Sequence, residues 1–250
     1  MLQVERLSIH FADREEVQEV VRGISFSVQD GEIVGIVGES GSGKTMTALT
    51  IAGLFKEHAV LDAGTIRLDG TDLLKLTERE MRQVQGNRIG MIFQEPMTAL
   101  NPTMKIGRQV EEVLRLHTDL DSRARKAAVI RALEEVELDE AEKLLFKYPH
   151  ELSGGMRQRV MIAAAMICRP SLLIADEPTT ALDAATQESI LKLLKKLNDK
   201  YGMSILFISH NLRVVKELCT RVFVMKDGEI LEEGETEVVF QNPKQSTRKH

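Results

Sequence analysis

The glycine-rich segment from Gly38 to Thr45 constrains the fold of this chain more than any other stretch, and it reads Gly-Glu-Ser-Gly-Ser-Gly-Lys-Thr. It follows an apolar run, Ile33 to Val37, and precedes residues 46–54, which can continue as a helix. A glycine-rich turn between a strand and a helix lets several backbone N–H groups converge on a phosphate at the positive end of the helix. We therefore predict a phosphate-binding loop here.

The spacing of this loop fits the pattern G-x-x-x-x-G-K-[ST]. By that pattern, Lys44 reaches the β- and γ-phosphates of a nucleotide, and the Thr45 hydroxyl binds Mg²⁺. The alternative is a flexible glycine turn with a solvated lysine, which leaves the agreement of strand, spacing, Lys-Thr pair and helix unexplained. The residues predicted to hold the nucleotide are Gly38, Glu39, Ser40, Gly41, Ser42, Gly43, Lys44 and Thr45.

Composition places the chain among ordinary globular proteins and argues against a nucleic-acid partner. The 250 residues, 43% of them hydrophobic and 28% charged, can form one large α/β domain or a core with a sizeable insertion. The chain has no Trp and only two Tyr, so base stacking on an aromatic platform is not expected. The net charge of −5 disfavours general attraction to nucleic acid or anionic lipid.

The cysteines and apolar runs point to a soluble chain in a reducing compartment. Cys168 and Cys219 lie in apolar helical contexts without metal-type spacing, so two buried free thiols are expected. Residues 1–5 lack the features of a signal peptide. The longest apolar run, Val160 to Cys168, is too short to span a bilayer. Any membrane role is therefore expected to come through a partner.

Apolar runs and turn residues alternate in a way that predicts an α/β core. Predicted strands cover residues 2–11, 20–28, 33–37, 65–68, 89–93, 172–175, 204–208, 222–225 and 229–233, and predicted helices cover 184–200 and 211–219. Such alternation implies a mostly parallel sheet covered on both faces. The first two strands, joined by a polar turn at residues 13–16, predict an N-terminal antiparallel β subdomain. Asp227-Gly228 predicts a hairpin turn.

Between the two halves of this core the pattern changes to helical spacing, with no convincing strand. Ile106, Val110 and Leu114 recur at intervals typical of one helix face, among many Arg, Lys and Glu. We therefore predict one domain over residues 1–250. Its α/β core comprises residues 1–96 and 169–250, and a helical subdomain, residues 97–168, is inserted into it.

The second nucleotide element is the apolar run Leu172 to Ala175, which ends in Asp176 and Glu177. A strand that ends in an acid puts a carboxylate at the carboxyl edge of the sheet, beside the phosphate loop. Asp176 is expected to hold Mg²⁺ through water, and Glu177 to polarise the attacking water as general base. The alternative is two solvated acids that begin a loop.

Three further sites complete an ordered series along the chain. Ser153, followed by Gly154 and Gly155, predicts a helix N-cap that another molecule can approach closely. Gln94 ends one predicted strand, where its amide could touch Mg²⁺ or water and sense the γ-phosphate. His210 ends another, where its imidazole could bond the γ-phosphate. Taken singly, Gln94 and His210 would each more often be a satisfied polar residue at a strand end.

With these motifs in this order along the chain, the sequence resembles the ATP-binding subunits of ABC transporters over nearly its whole length. The matching motifs are the Walker A motif at Gly38–Thr45, the Q-loop at Gln94, the family signature at Leu152–Met156, the Walker B motif at Leu172–Glu177, the D-loop at Ala181–Asp183 and the switch histidine at His210. The resemblance implies a P-loop ATPase that uses ATP and Mg²⁺, with Glu177 as catalytic glutamate. The signature usually ends in Gln where Met156 stands. Phe11, at the end of the first strand, is the candidate for stacking on adenine.

Longer stretches resemble the subgroup that imports oligopeptides, dipeptides and nickel or metal chelates. They include residues 93–102, 148–152 and 240–244. Peptide-importing members tend to carry a longer, cysteine-containing C-terminal region, and Gln245-Ser246-Thr247 replaces their usual Pro-Tyr. Both departures favour a nickel or metal-chelate importer over a peptide importer.

The family resemblance also implies partners and a location. Two ATPase subunits face each other head to tail, so that Ser153 and Gly155 serve the ATP held by the other chain. The expected partners are a second, homologous ATPase chain, two membrane permease subunits and an extracytoplasmic solute-binding protein. The expected location is peripheral, on the cytoplasmic face of the cell membrane.

Other nucleotide-binding classes fit the sequence less well. A non-transport ABC-type ATPase acting on ribosomes or DNA usually has two cassettes or a long coiled-coil insertion, whereas this chain has one cassette. A P-loop kinase or GTPase has no use for the Ser-Gly-Gly segment or His210. A regulatory subunit without hydrolysis would not need Glu177.

Overall fold

The computed structural model describes residues 1–12, 17–55, 58–180 and 182–241. Within these residues the chain forms two β-sheets with helices around them, which confirms the α/β class. The predicted turn at residues 13–16 and the polar tail from Asn242 lie outside the described residues. So does part of the subgroup motif at residues 240–244.

The smaller sheet is antiparallel and confirms the predicted N-terminal β subdomain. Its strand order is β2-β1-β4-β5. The strands are β1 (Leu2–Ala12), β2 (Val17–Val28), β4 (Ala59–Leu68) and β5 (Thr71–Asp72). Breaks in the register between β1 and both of its neighbours show that β1 is irregular near Arg6, which has φ +47°.

The larger sheet has six strands in the order β10-β9-β3-β8-β7-β6, and it is mostly parallel as predicted. Its strands are β3 (Ile33–Val37), β6 (Ile89–Ile92), β7 (Leu172–Asp176), β8 (Ser204–Ser209), β9 (Arg221–Lys226) and β10 (Glu229–Glu235). Only β10 runs antiparallel to its neighbour. The carboxyl ends of β3, β6, β7 and β8 therefore meet at one edge of the sheet.

Helices follow most of the strands, and a group of them separates β6 from β7. They are α1 (Lys44–Ile51), α2 (Glu78–Val84), α3 (Pro96–Ala99), α4 (Ile106–His117), α5 (Ser122–Glu135), α6 (Ala141–Leu144), α7 (Gly154–Met166), α8 (Ala184–Tyr201), α9 (Leu212–Leu218) and α10 (Thr236–Gln241). Residues 93–171, which the structure describes throughout, contain no strand. No helix among the described residues is both long and apolar enough to cross a membrane.

Two hydrophobic cores lie on opposite faces of the larger sheet. On one face, Val34 and Ile36 of β3 pack with α1 and the antiparallel sheet. On the other, Ile33 and Val37 pack with the helices that follow β6 and β7. All five residues of β3 are buried, as expected for a central parallel strand. The strand that leads into the glycine-rich loop is thus held from both sides.

Several element boundaries differ from those predicted, for local reasons. Strand β4 begins at Ala59 rather than at residue 65, because its first half pairs with the end of β1. Helix α2 was not predicted, although Thr77 and Glu80 form a capping box at its start. Phe93 was predicted within a strand but lies beyond β6, with 37% of its surface exposed.

Candidate functional site

The loop between β3 and α1 fits tightly into its surroundings. A Cβ atom on Gly38 would lie 2.0 Å from the Met225 carbonyl oxygen. Gly43 has φ +99°, and a Cβ there would lie 2.6 Å from the Val20 carbonyl oxygen. Neither position tolerates a side chain, because the obstacle at each is backbone. The loop is therefore shaped by β2 on one side and by β9 on the other.

Lys44 lies inside this loop rather than in solvent, with 5% of its surface exposed. Its Nζ donates hydrogen bonds to the carbonyl oxygens of Gly38, at 2.8 Å, and Glu39, at 2.6 Å. Burial lowers the pKa of Lys44 from its ordinary value, while the carboxylates of Glu177 and Asp176 oppose that shift. A buried ammonium group held at the centre of a glycine loop is well suited to bind phosphate oxygens.

Two oxygen-bearing side chains meet at the start of α1. The Thr45 hydroxyl lies 3.2 Å from Oδ1 of Asp176, which is the last residue of β7 and 3% exposed. Mg²⁺ prefers oxygen ligands and is commonly held by one or two protein groups together with substrate phosphates. No group of three or more His, Cys, Asp or Glu side chains within the described residues could hold a metal ion alone. The pair therefore fits Mg²⁺ that arrives with a nucleotide.

The structure brings Gln94, Glu177 and His210 together. Oε2 of Glu177 accepts a hydrogen bond from Nε2 of Gln94 at 3.2 Å, and Oε1 lies 3.0 Å from Nδ1 of His210. The backbone at Glu177 has φ +46°, an uncommon conformation for a residue with a side chain, and its N–H donates to the Ile208 carbonyl. Such local strain is often found at functional sites.

A cavity of about 580 Å³ connects these groups to the phosphate loop. Its polar wall includes Gly38, Glu39 and Ser40 of the loop and the carboxylate of Glu177. Apolar side chains form the rest of the wall, and they are Val37, Leu212, Val224, Met225 and Leu231. A low-polarity surround strengthens the electrostatic effect of the few charged groups that face the cavity.

The Ser-Gly-Gly segment lies elsewhere on the chain. Ser153 is exposed and caps α7, because its Oγ accepts a hydrogen bond from the Met156 N–H at 3.3 Å. Ser153 and Gly155 line a different cavity from the one that contains the phosphate loop. Within a single chain, the structure does not bring the signature residues to the nucleotide loop.

Asp183 caps the neighbouring helix α8. Its carboxylate accepts hydrogen bonds from the N–H and the hydroxyl of Thr186, and the pKa of Asp183 is lowered as a result. A Cβ on Gly155 would lie 2.8 Å from Cγ2 of Thr186, so the signature is in close contact with the first turn of α8, which follows the D-loop. Ala181 lies outside the described residues.

Phe11 is not among the residues that line the cavity beside the phosphate loop. It is partly buried on β1, and it pairs with Gln18 of β2. Two residues further along β2, the Val20 carbonyl lies against Gly43. The role of Phe11 in adenine stacking stays a prediction.

The residue patterns missed one contact of Glu177. Thr180 Oγ1 donates a hydrogen bond to Oε2 of Glu177 at 2.9 Å, and Thr180 lines the same cavity. The available signal is a hydroxyl three residues after the glutamate. A hydroxyl at that spacing can reach the glutamate side chain only if the backbone forms a turn after Glu177, as it does here.

Comparisons with known proteins agree with this geometry. The family model described as ABC transporter matches residues 21–180. The chain is 46% identical to a probable peptide ABC transporter ATP-binding protein of Sinorhizobium fredii, over 97% of this chain and 73% of that protein. It is also 46% identical to the dipeptide transport ATP-binding protein of Haemophilus influenzae, over 98% and 74%. A dimeric ATP-binding cassette in a post-hydrolysis state, bound to ADP and Pi, superposes with a TM-score of 0.85 at 30% identity, over 94% and 99%.

Proposed function

Because the chain belongs to the ABC transporter family, whose ATP-binding subunits are ATPases, we propose that it hydrolyses ATP to power the import of di- or oligopeptides. The observation that carries this proposal is one cavity lined by Gly38, Glu39 and Ser40 of the phosphate loop together with Gln94, Glu177 and His210. The relatives described above are named for peptide and dipeptide transport, and this favours peptides over the nickel or metal-chelate cargo expected from the chain's C-terminal residues.

The phosphate loop and Lys44 bind the triphosphate in this proposal. On ATP binding, Lys44 exchanges its hydrogen bonds to the Gly38 and Glu39 carbonyls for bonds to phosphate oxygens. The Thr45 hydroxyl and the Asp176 carboxylate, 3.2 Å apart, would hold Mg²⁺, which would neutralise charge on the phosphates. The N-terminus of α1 adds backbone N–H groups and a favourable dipole.

Glu177 supplies the base in the chemical step. Its carboxylate orients the attacking water and accepts its proton, while Gln94 and His210 hold the two carboxylate oxygens in the structure. On nucleotide binding, His210 would turn from Glu177 towards the γ-phosphate, and Gln94 would turn towards the Mg²⁺ that the site would hold. Loss of the γ-phosphate then releases these contacts.

The exposed signature favours a head-to-tail dimer. Ser153 and the Gly154 backbone are open to approach, yet they lie apart from the cavity of their own chain. The similar solved cassette described above is dimeric. We infer that Ser153, Gly154, Gly155 and Asp183 close over the ATP held by a second, homologous ATPase subunit.

A second groove supports a permease partner. It measures about 560 Å³, is lined by residues that follow α1 and by residues of β6, α4 and α7, and includes the exposed side chains of Leu54 and Phe93. Phe93 directly precedes Gln94, so movement in the groove can reach Glu177 through one residue. We infer that a permease subunit docks here, which places the chain peripherally on the cytoplasmic face of a membrane. An extracytoplasmic solute-binding protein is the expected source of cargo.

A second candidate function is a non-transport ABC-type ATPase that acts on ribosomes or DNA. The net charge of −5 and the apolar groove both favour a protein partner over nucleic acid. Co-purification with permease subunits would support import. Cargo is best distinguished by measuring the binding of di- and oligopeptides, and of nickel, to the associated solute-binding protein.

The substitution Glu177→Gln tests the proposed hydrolysis. The amide keeps the shape of the carboxylate but cannot accept the proton, so we expect the ATPase rate to fall by about 10² to 10⁴. ATP affinity should be retained, and the dimer should persist in ATP. Glu188→Gln, which changes an exposed glutamate on α8, serves as a matched control and should leave the rate unchanged. Near-normal hydrolysis by Glu177→Gln would contradict the proposed role.

A further inference from the structure

Thr180 is the closest hydrogen-bonding partner of the Glu177 carboxylate in the structure. Its Oγ1 lies 2.9 Å from Oε2 of Glu177, against 3.2 Å for Nε2 of Gln94 and 3.0 Å between Oε1 and Nδ1 of His210. The Thr180 N–H also donates to the Glu177 carbonyl at 3.1 Å, which closes a tight turn. Thr180 is therefore tied to Glu177 through both its backbone and its side chain.

The three partners of Glu177 differ in how they are attached to the fold. Gln94 follows β6 and is exposed, and His210 follows β8 with 57% of its side chain exposed. Both must change partners if they are to contact a nucleotide. Thr180 stands only three residues from Glu177 in the same turn, so its hydroxyl stays within reach while the other two groups leave.

Glu177 needs such a fixed partner because of its own backbone. Glu177 has φ +46°, a left-handed backbone conformation, and it lies just beyond the last residue of β7. The strand geometry therefore does not fix the direction of its side chain. Only 13% of the side chain is exposed, so little water is available to orient it. A carboxylate that acts as base must be held close to a productive position, since a misplacement of about 1 Å can cost about 100-fold in rate.

The turn that carries Thr180 also reaches the proposed dimer face. The Leu182 N–H donates to the Thr179 carbonyl, and Asp183 then caps α8. Leu182 is the nearest side chain to Gly154 of the signature. The position of Thr180 is thus linked to the segment that meets the second subunit.

We propose that Thr180 is a positioning residue whose hydroxyl holds Oε2 of Glu177 for water activation, and that it acts only through Glu177. The proposal rests on the ATPase function proposed above. It assigns Thr180 no contact with the phosphate loop, since its hydroxyl donates to Glu177.

The substitutions Thr180→Val and Thr180→Ser test this proposal. Valine keeps the branched shape but removes the donor, and we expect kcat to fall about 10- to 100-fold with little change in ATP affinity. Serine keeps the hydroxyl and should restore most of the rate. A fall in ATP affinity that matches the fall in kcat, or equal losses in both variants, would overturn the proposal. Thermal unfolding of each variant shows whether folding is intact.

A double substitution separates this inference from the proposed function. If Thr180 acts through Glu177 alone, Thr180→Val should cause no further loss of rate in a Glu177→Gln background. An additional loss of tenfold or more would assign Thr180 another role and overturn the inference. If the unsubstituted chain, assembled with its partner subunits, hydrolyses no ATP, the proposed function fails instead. The two failures are therefore distinguishable.

Discussion

At the scale of single residues, the two adjacent glycines of the signature differ in the space around them. A Cβ on Gly154 would find only Leu182, at 3.9 Å, whereas one on Gly155 would lie 2.8 Å from Cγ2 of Thr186. Thr186 cannot easily move, because its hydroxyl and N–H are both bonded to Asp183. Gly155 is therefore required by packing, and Gly154 is not.

The substitutions Gly155→Ala and Gly154→Ala should separate these requirements. We expect Gly155→Ala to lower the free energy of unfolding by about 1–3 kcal/mol, since overpacking has costs of that size, and this contact is partly buried. Gly154→Ala should leave stability unchanged or slightly raised, because alanine favours helix over glycine. Urea unfolding of both variants measures the difference. Equal stabilities would show that Thr186 moves freely.

Single residues of the site were predictable where their position depends on strand ends alone. Gln94 and His210 follow parallel strands and Asp176 ends one, and the carboxyl ends of parallel strands share one edge of a sheet. Their place at this edge was therefore predictable, and their chemical roles stay predictions. Thr180 could not be found this way, because its contact depends on a left-handed backbone at Glu177 that no residue type requires.

At the scale of elements, the turn between β9 and β10 supports the phosphate loop. Its Gly228 N–H donates to the Ser42 carbonyl at 3.2 Å, and its carbonyl accepts from the Arg22 N–H at 2.8 Å. A Cβ on Gly228 would lie 2.8 Å from the Val20 carbonyl oxygen. The turn thus connects β2 to the loop that holds Lys44.

The substitution Gly228→Ala should reduce both stability and ATP affinity. Gly228 has φ +84°, and Gly70, in the turn between β4 and β5, has nearly the same geometry with φ +81° and no heavy atom within 4 Å of a Cβ. Gly70→Ala therefore incurs backbone strain alone, about 1–2 kcal/mol. We expect Gly228→Ala to cost more and to weaken ATP binding, measured by calorimetry. Equal ATP affinities in the two variants would contradict a supporting role for the turn.

A second feature at this scale joins the helices to the core through Glu135 at the end of α5. Arg169 binds both of its carboxylate oxygens at 2.9 Å, and Lys200 and Tyr201 bind Oε1. The Arg169 guanidinium also lies 3.7 Å from the centre of the Tyr201 ring. Burial opposes ionisation of Glu135, but the hydrogen bonds from Arg169, Tyr201 and Lys200 outweigh it and lower its pKa to about 2.

This cluster predicts a pH-dependent contribution to stability. A carboxyl group whose pKa is lower in the folded chain stabilises it above the unfolded pKa, and that contribution fades as pH falls from about 4.5 towards 2. We expect Glu135→Gln to lower the free energy of unfolding by about 1–3 kcal/mol at pH 7 and by less at pH 3.5. The exposed neighbour Glu134→Gln is the control. A difference that does not shrink at pH 3.5 would contradict the pKa shift as its source.

Elements were predicted well where both faces of a strand or one face of a helix are apolar. β3, β7 and β8 are fully buried, and their continuous apolar runs are visible in the sequence. The first half of β4 is mostly exposed or half-buried, and its pairing with the end of β1 comes from a partner about 50 residues away in sequence. Local patterns contain no information about such pairing.

At the scale of the whole molecule, the signature is separated from the phosphate loop of its own chain, and this makes the proposed head-to-tail arrangement of two subunits testable. Ser153→Arg places a long cation on the exposed start of α7. We expect it to leave ATP binding by the isolated chain almost unchanged but to reduce ATP hydrolysis by the assembled complex, because the altered group serves the second subunit's nucleotide. Nucleotide binding and ATPase activity of the complex measure the two effects.

The control for this test is Ser122→Arg, which puts the same charge on the exposed first residue of α5. It should change neither quantity. If Ser153→Arg instead weakens ATP binding by the isolated chain, the signature acts within its own subunit and the head-to-tail arrangement is wrong. The overall class of fold was predicted from sequence, whereas the head-to-tail arrangement was expected from the family resemblance alone and stays a prediction.

The close contacts of the phosphate loop with two distant strands have a consequence for synthesis of the protein. Gly38 and Gly43 are confined by Val20 in the second strand and by Met225 in the ninth, so the loop's shape needs segments separated by some two hundred residues. A ribosome-bound chain that ends before Met225 has the complete Gly38–Thr45 sequence but only some of the residues that confine the loop. We therefore expect a nascent chain to acquire tight ATP binding only after its last strands have emerged, which makes nucleotide capture a late signal of complete folding.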